Sequence, residues 1–290
     1  MNIDMFKVQA DSDPELDRRT CRPPDLEDKK ALKKRLGACT REIDRLQYRM
    51  YAENRQSLLV VLQGMDASGK DSAVRRLMSG VNPQGVIVSS FKHPSALELD
   101  YNYLWRHYSK LPQKGSIAIF NRSYYENVLI TRVHPELLLA ERMPGIDAVD
   151  KVDEQFWLDR FEQIRKFERI LTETGTHIVK FYLHVSRDEQ KRRFLDRIER
   201  KEKHWKFSSS DIRERKFWDQ YMHAYTQALR HTSRDHAPWY VIPADSKALA
   251  RLAIGRVVLD TLQRMQPQFP AVDQAELDMI AAARQELLDE

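Results

Sequence analysis

The stretch "LLVVLQGMDASGKDS", residues 58–72, passes from an apolar run of strand length through a glycine loop to the start of a helix. Gly64, four residues and then Gly69-Lys70 reproduce the spacing of a phosphate-binding loop, and the flanking strand and helix supply the context that this spacing needs. Gly64 and Gly69 let backbone N–H groups approach phosphate oxygens, the helix start adds partial positive charge, and Lys70 brings a mobile ammonium. Met65, Ala67 and Ser68 fill the loop and Ser72 follows in the first helical turn, so all four are candidate phosphate-binding positions. Asp71 departs from the pattern, standing where a Ser or Thr hydroxyl ordinarily ligates magnesium. Another oxygen must then hold the metal. Asp66, a carboxylate inside an anion-binding loop, is the candidate, either as metal ligand or as the group that orients an incoming nucleophile. Asp71 is read as a supporting ligand or as a partner of the helix dipole.

Working outward, four more apolar runs have strand length: residues 86–91, 117–120, 177–185 and 239–242. Between them, segments with helical periodicity cover 69–78, 96–109, 124–133, 153–174, 187–203, 212–230 and 247–264. Ahead of them, Leu32, Leu36, Ile43, Leu46 and Met50 mark an amphipathic helix over 26–54. Five strands alternating with helices predict an α/β fold around a parallel sheet. Residues 1–25, with Pro14, Pro23 and Pro24, read as an irregular arm, and 26–290 as a single domain with a surface connection at 143–149.

A chain of 290 residues with 42% hydrophobic content suits one large core. Cys21 and Cys39 form no C-x-x-C pair, which excludes a zinc site of that type and a disulfide framework, and points to a reducing, cytoplasmic setting. No apolar run approaches the roughly 20 residues that span a bilayer, so no membrane partner is expected. The net charge of +5 is too small to demand nucleic acid, and nothing is spaced like a motif that reads DNA or RNA. The charge is concentrated, however: residues 187–216 hold 12 Lys/Arg against 7 Asp/Glu. Arg193, Arg197, Arg200 and Lys201 recur at helical steps there and offer a face that could close on phosphates as a lid, the alternative being a solvated helix paired with Asp196, Glu199 and Glu202. The third strand ends in Asn121-Arg122, followed by Glu126, where α/β folds collect polar catalytic groups. Arg122 suits a phosphate acceptor or pairs with Glu126 at i, i+4, and Lys92 after the second strand is a further candidate phosphate contact.

"GMDASGKDSAVRRLM", "FKHPS", "YLWRHYSKLPQKG", "FNRSYYENVLITRVHPELL" and "FLDRIERKEKHWKFSSSDIRERKFWDQYMHAYTQAL" together resemble the polyphosphate kinase 2 family, from about residue 26 to 265. The resemblance implies a three-layer α/β/α phosphate-loop kinase fold similar to thymidylate kinase, with a five-stranded parallel sheet and a helical lid at about 187–216. It implies phosphoryl transfer between inorganic polyphosphate and nucleotides with Mg2+, or Mn2+ in its place, and assembly as a homodimer or homotetramer. The "NRSYYENVL…RVH" form resembles the class III branch, in which both AMP and ADP are phosphorylated; adenine nucleotides, with guanine a further option, are the expected substrates. On this reading Asp66, Lys70, Arg122 and Glu126 are catalytic. The remaining loop residues, with Lys92, Arg106, Asn121, Arg193, Arg197 and Lys201, bind the two anions. An ATP-dependent nucleoside monophosphate kinase would share the loop, sheet and lid but need a nucleotide donor, and a non-catalytic nucleotide- or polyanion-binding module would bind without turnover.

Overall fold

A computed structural model describes residues 1–290. Its centre is a five-stranded sheet in the order β2-β3-β1-β4-β5, with every pairing parallel. The strands are β1 (Ser57–Gln63), β2 (Val86–Ser90), β3 (Ile117–Asn121), β4 (Thr176–His184) and β5 (Trp239–Pro243). All seven residues of β1 are buried, and its five central residues, Leu58 to Leu62, form a continuous apolar run instead of an alternating one. The chain leaves β1 for β2 past the position of β3 and later crosses to β4 on the other side, so the loop after β1 opens at a switch point on the carboxyl edge of the sheet.

Helices cover both faces. On one side α1 (Lys29–Glu53) and α10 (Lys247–Met265) pack together, with α2 (Lys70–Leu77) against α10. Asp28 caps α1, accepting from Lys30 N at 2.8 Å and Ala31 N at 3.3 Å. On the other side α6 (Glu154–Glu173) lies on β4 beside α9 (Trp218–Thr232). Residues 1–28 hold one short 3₁₀ turn, yet Phe6, Val8 and Leu16 are buried and Val8 N donates to Trp239 O at 2.9 Å. No helix is long and apolar enough to cross a membrane.

Several stretches expected as single helices are broken by local competition. The 96–109 segment forms α3 (Ala96–Leu99) and α4 (Trp105–Tyr108), because Asn102 Oδ1 accepts from Leu104 N at 2.9 Å and starts a new turn. Residues 124–133 become a 3₁₀ turn, Tyr124–Val128, and α5 (Ile130–Val133). Beyond β4, α7 (Arg187–Glu199) gives way to a 3₁₀ turn at Lys201–Lys206 and then α8 (Ser209–Glu214). A last helix, α11 (Gln274–Asp289), lies beyond every helix that periodicity predicted.

Candidate active site

The glycine loop needs its glycines. Gly64 has φ +151° and Gly69 φ +111°, both in the region that L side chains rarely adopt, and a Cβ on Gly64 would lie 2.9 Å from Leu183 O. Ala67 takes φ +60° between them. Lys70, first residue of α2, is buried and folds back over the loop, donating to Gly64 O at 2.5 Å and Met65 O at 3.3 Å. Burial pushes its ammonium down to about 8, and the neighbouring Arg122 adds to the fall against the pull of Asp66, Glu126 and Asp71. Ser72 Oγ donates to Gly69 O at 2.8 Å, and Ser68 Oγ is buried without a partner.

Arg193 on α7 supports this loop from below. Its Nε donates to Glu189 at 2.7 Å, Nη1 to Ala67 O and Ser68 O at 2.9 and 2.7 Å, and Nη2 to Ala244 O and Asp245 O at 2.6 and 3.2 Å. The guanidinium is buried and its donors are engaged by protein acceptors, so it shapes the loop from behind instead of facing into it. Gln190 joins it, donating to Asp66 O at 3.0 Å.

At the end of β3, Arg122 takes φ +63° and turns its guanidinium onto Asp66, Nη2 to Oδ1 at 2.6 Å, with Glu126 at 3.7 Å. The Glu126 carboxylate, followed by Asp66 against the opposing effect of burial, holds this guanidinium firmly charged. Asn121 Nδ2 donates to Asp71 Oδ1 at 2.8 Å, and Lys206 reaches Asp71 from the far side at 3.5 Å. Burial raises the Asp71 carboxyl, but the Asn121 hydrogen bond and the charge of Lys206 more than offset it and the group lies below its ordinary value. Asp211 of α8 shifts the other way: burial and the nearby Asp66 carboxylate raise it, although Arg197 stands 3.3 Å away.

Beside Arg122 lies a cavity of about 200 Å³, walled by Phe91, Tyr103, Leu137 and Glu141 and rimmed by Lys92 and Arg106. Arg106 is fixed there by Lys92 O at 2.9 Å, by Glu98 at 3.3 Å and by the face of Phe91, 5.3 Å from the ring centroid. His107 is buried, its imidazole pushed down to about 3 first by burial and then by Arg106, so it packs as a neutral ring.

The structure therefore brings Asp66, Lys70, Asp71, Asn121, Arg122 and Glu126 together around the loop, with Lys92 and Arg106 at the adjoining cavity. Arg197 stands at the edge, bound to Asp211. Lys201 is exposed and makes none of these contacts; Lys206, which sequence reading did not single out, is the lysine at Asp71. Sequence reading also missed the support beneath "SYYEN". Glu168 of α6 accepts from Tyr124 and Tyr125 hydroxyls at 2.8 and 2.9 Å, and Lys180 of β4 donates to it at 2.6 Å and to Thr232 O at 2.8 Å. A lysine inside an apolar strand was the available signal.

The sequence model of the Polyphosphate kinase 2 (PPK2) family matches residues 26–270. Among curated proteins, the ADP-polyphosphate phosphotransferase of Rhodopseudomonas palustris is 48% identical over 243 residues, 84% of this chain and 83% of that protein. The AMP/ADP-polyphosphate phosphotransferase of Meiothermus ruber is 42% identical over 247 residues, 85% of this chain and 87% of that one. Among solved structures, polyphosphate kinase 2 from Arthrobacter aurescens superposes with a TM-score of 0.87 at 34% identity, covering 99% of this chain and 96% of that one.

Proposed function

The chain belongs to the polyphosphate kinase 2 family, and from that premise we propose that it phosphorylates both AMP and ADP from inorganic polyphosphate, reversibly. The observation that carries this reading is the adjacency of a phosphate loop and a separate cavity, joined by the Arg122–Asp66 pair. One anhydride lies on the loop amides and Lys70, and the acceptor nucleoside occupies the cavity with its phosphate at Arg122, Lys92 and Arg106. Transfer is direct and in line, with no covalent protein intermediate. Arg122 neutralises charge on the two substrates, and Asp66, released from Arg122 as phosphate arrives, orients the acceptor oxygen or ligates a metal. The R. palustris and M. ruber relatives differ in the acceptors they are named for, ADP alone against AMP and ADP; the "NRSYYENVL" segment supports the broader choice here.

Magnesium, with manganese as a substitute, fits the oxygens present. Asp66, Asp71 and the buried, unpartnered Asn121 Oδ1 are hard donors. No three carboxylate, histidine or cysteine side chains converge, and a cation that keeps water and takes phosphate oxygens needs no such cage. When bound, the ion would neutralise the phosphates flanking the transferred group. The exposed cations of residues 187–216, the buried Arg193 excepted, serve as the lid along which the polyanion lies, and the protein acts in the cytoplasm as a homodimer or homotetramer.

The test is an ATP-free incubation of protein, Mg2+ and long-chain polyphosphate with AMP, and separately with ADP, resolving nucleotides by chromatography. ADP and ATP formed from AMP are expected. Conversion of ADP alone would narrow the acceptor. Turnover only with ATP as donor would replace this reading with an ordinary monophosphate kinase, and saturable binding without product would replace it with a binding module.

A further inference from the structure

Helix α11 is well formed and has no partner within the chain. Asp273 caps it, accepting from Glu276 N at 2.9 Å, and Gln274 and Gln285 bond Asp278 and Asp289 one turn on at 2.8 and 3.0 Å. Yet every residue of 274–289 is exposed. Leu277, Ile280, Leu287 and Leu288 share one side of the helix, open to water, with Arg284 standing among them. An isolated helix of 16 residues is marginal in water, so one that holds three leucines and an isoleucine clear of its own body calls for a surface elsewhere. The approach to it is pinned: Phe269 packs on Tyr48 of α1 at 5.9 Å and under Arg49 at 5.8 Å, while Gln56 Nε2 donates to Met265 O at 3.1 Å. The helix lies beyond residue 270, where the family match ends, but the Arthrobacter structure covers 99% of this chain, too much to leave a 16-residue helix unmatched.

Charge indicates what the helix meets. Residues 273–290 carry six acidic side chains and one basic, a net of −5; the other 272 carry 47 basic and 37 acidic, a net of +10. The body also has an uncovered apolar surface. β2 is an edge strand paired only to β3, and Ile87 and Val88 on it are exposed. With Leu97, Trp105, Ser109 and Lys110 they line an open groove of about 710 Å³. Trp105 is held over it by stacking on Tyr101 at 4.2 Å.

We propose that α11 of one copy lies in the β2-edge groove of a second copy, its apolar side chains on Val88, Leu97 and Trp105 and its acidic flank toward Lys110, and that the exchange is reciprocal. One interface thereby covers both unpartnered surfaces and closes as a two-fold dimer. The proposal deepens the homo-oligomer reading above and is independent of which nucleotide is phosphorylated.

Light scattering on the purified full-length chain at tens of micromolar tests it. The wild type is expected at 34.2 kDa multiplied by two, or by an even number. The triple change Leu277→Glu/Ile280→Glu/Leu287→Glu, and separately Val88→Glu, should each halve that mass at least, with the far-UV signature of the body retained. Mixing Ile280→Cys protein with Val88→Cys protein under oxidation should give a disulfide-linked heterodimer that neither gives alone. A wild type at the mass of one chain would overturn both this proposal and the oligomer reading. An oligomeric wild type unaffected by either variant, or dispersed by the helix variant but not by Val88→Glu, would keep the oligomer and discard this contact, as would Ile280→Cys linking only to itself.

Discussion

The glycine loop and the segment 200–217 meet at Asp71, and they are built on opposite terms. Behind the loop, Arg193 spends its N–H donors on Glu189 and four carbonyls, and is itself buried. Across from it, residues 200–217 are a chain of short turns with Trp205 77% and Phe207 47% exposed, and ion pairs such as Arg200–Glu202 that face solvent. A group that must hold a transferring phosphoryl position to a fraction of an ångström is over-determined by buried bonds. A surface that admits and releases a long anion needs charge but not fixed geometry, and exposed ion pairs add little to stability.

The sharpest way to break this contrast is to truncate one arginine on each side. Arg193→Ala leaves Glu189 and four carbonyls short of donors at a buried site, and we expect a loss of about 3–5 kcal/mol in denaturant unfolding together with most activity. Arg200→Ala should leave the same unfolding transition where it is, because its ion pair with Glu202 lies in solvent. Equal losses from the two would erase the distinction.

Chemistry at the loop should separate from stability. Asp66→Asn and Lys70→Met are expected to lower kcat by about 10²–10³-fold, the range for removing one preorganised charge from a transfer site. Lys70→Met should leave the melting temperature unchanged or raised, because it removes an ammonium that burial disfavours when no phosphate is bound. A melting temperature that falls by several degrees would mean that Lys70 holds the empty loop together.

This division also explains what the sequence made legible. The centre of β1, buried on both faces, reads as an uninterrupted apolar run, and Asp66, Lys70, Asn121 and Arg122 lie on the loop or the adjoining strand end, so motif and topology reach them without tertiary information. Lys206 and Asp211 were not reachable that way, since they arrive from a segment more than a hundred residues along the chain and look like any solvated charge. Arg193 was visible as a cation after the fourth strand, but whether it faces phosphate or supports the loop depends on the carbonyls of Ala244 and Asp245, which only the fold brings beneath it. The Tyr124–Glu168–Lys180 network was hidden for the same reason, and the broken helix at 96–109 turns on one Asn102 hydrogen bond that periodicity does not register.

A tenfold effect per pH unit is expected from Lys70. With its ammonium pushed down to about 8, the free loop is charged below that pH and loses the charge above it, so KM for polyphosphate should rise as pH passes 8, while Lys70→Arg should flatten the profile. Folding responds with the opposite sign. Between about 8 and the ordinary lysine value of 10.5 the unfolded chain binds more protons than the folded one, so the Lys70 contribution to stability becomes more favourable as pH rises through that window. A KM that stays level from pH 7 to 9.5 in the wild type would rule out a role for this proton in binding the donor.

The smallest effect belongs to Lys206. It is an exposed cation 3.5 Å from Asp71, which Asn121 also binds, so it bridges the 200–217 segment to the glycine loop through a single screened pair. Lys206→Ala should leave the melting temperature within about 2 °C, because a surface pair is worth about 0–1 kcal/mol. Its charge matters more to an incoming anion than to the fold: KM for polyphosphate should rise about two- to fivefold at low ionic strength, and the difference from wild type should shrink by 0.5 M salt, where screening shortens the reach of any exposed charge. A penalty in kcat that persists at high salt would instead put Lys206 among the groups that act on the transferring phosphate, and the boundary between holding and admitting would have to move into the lid.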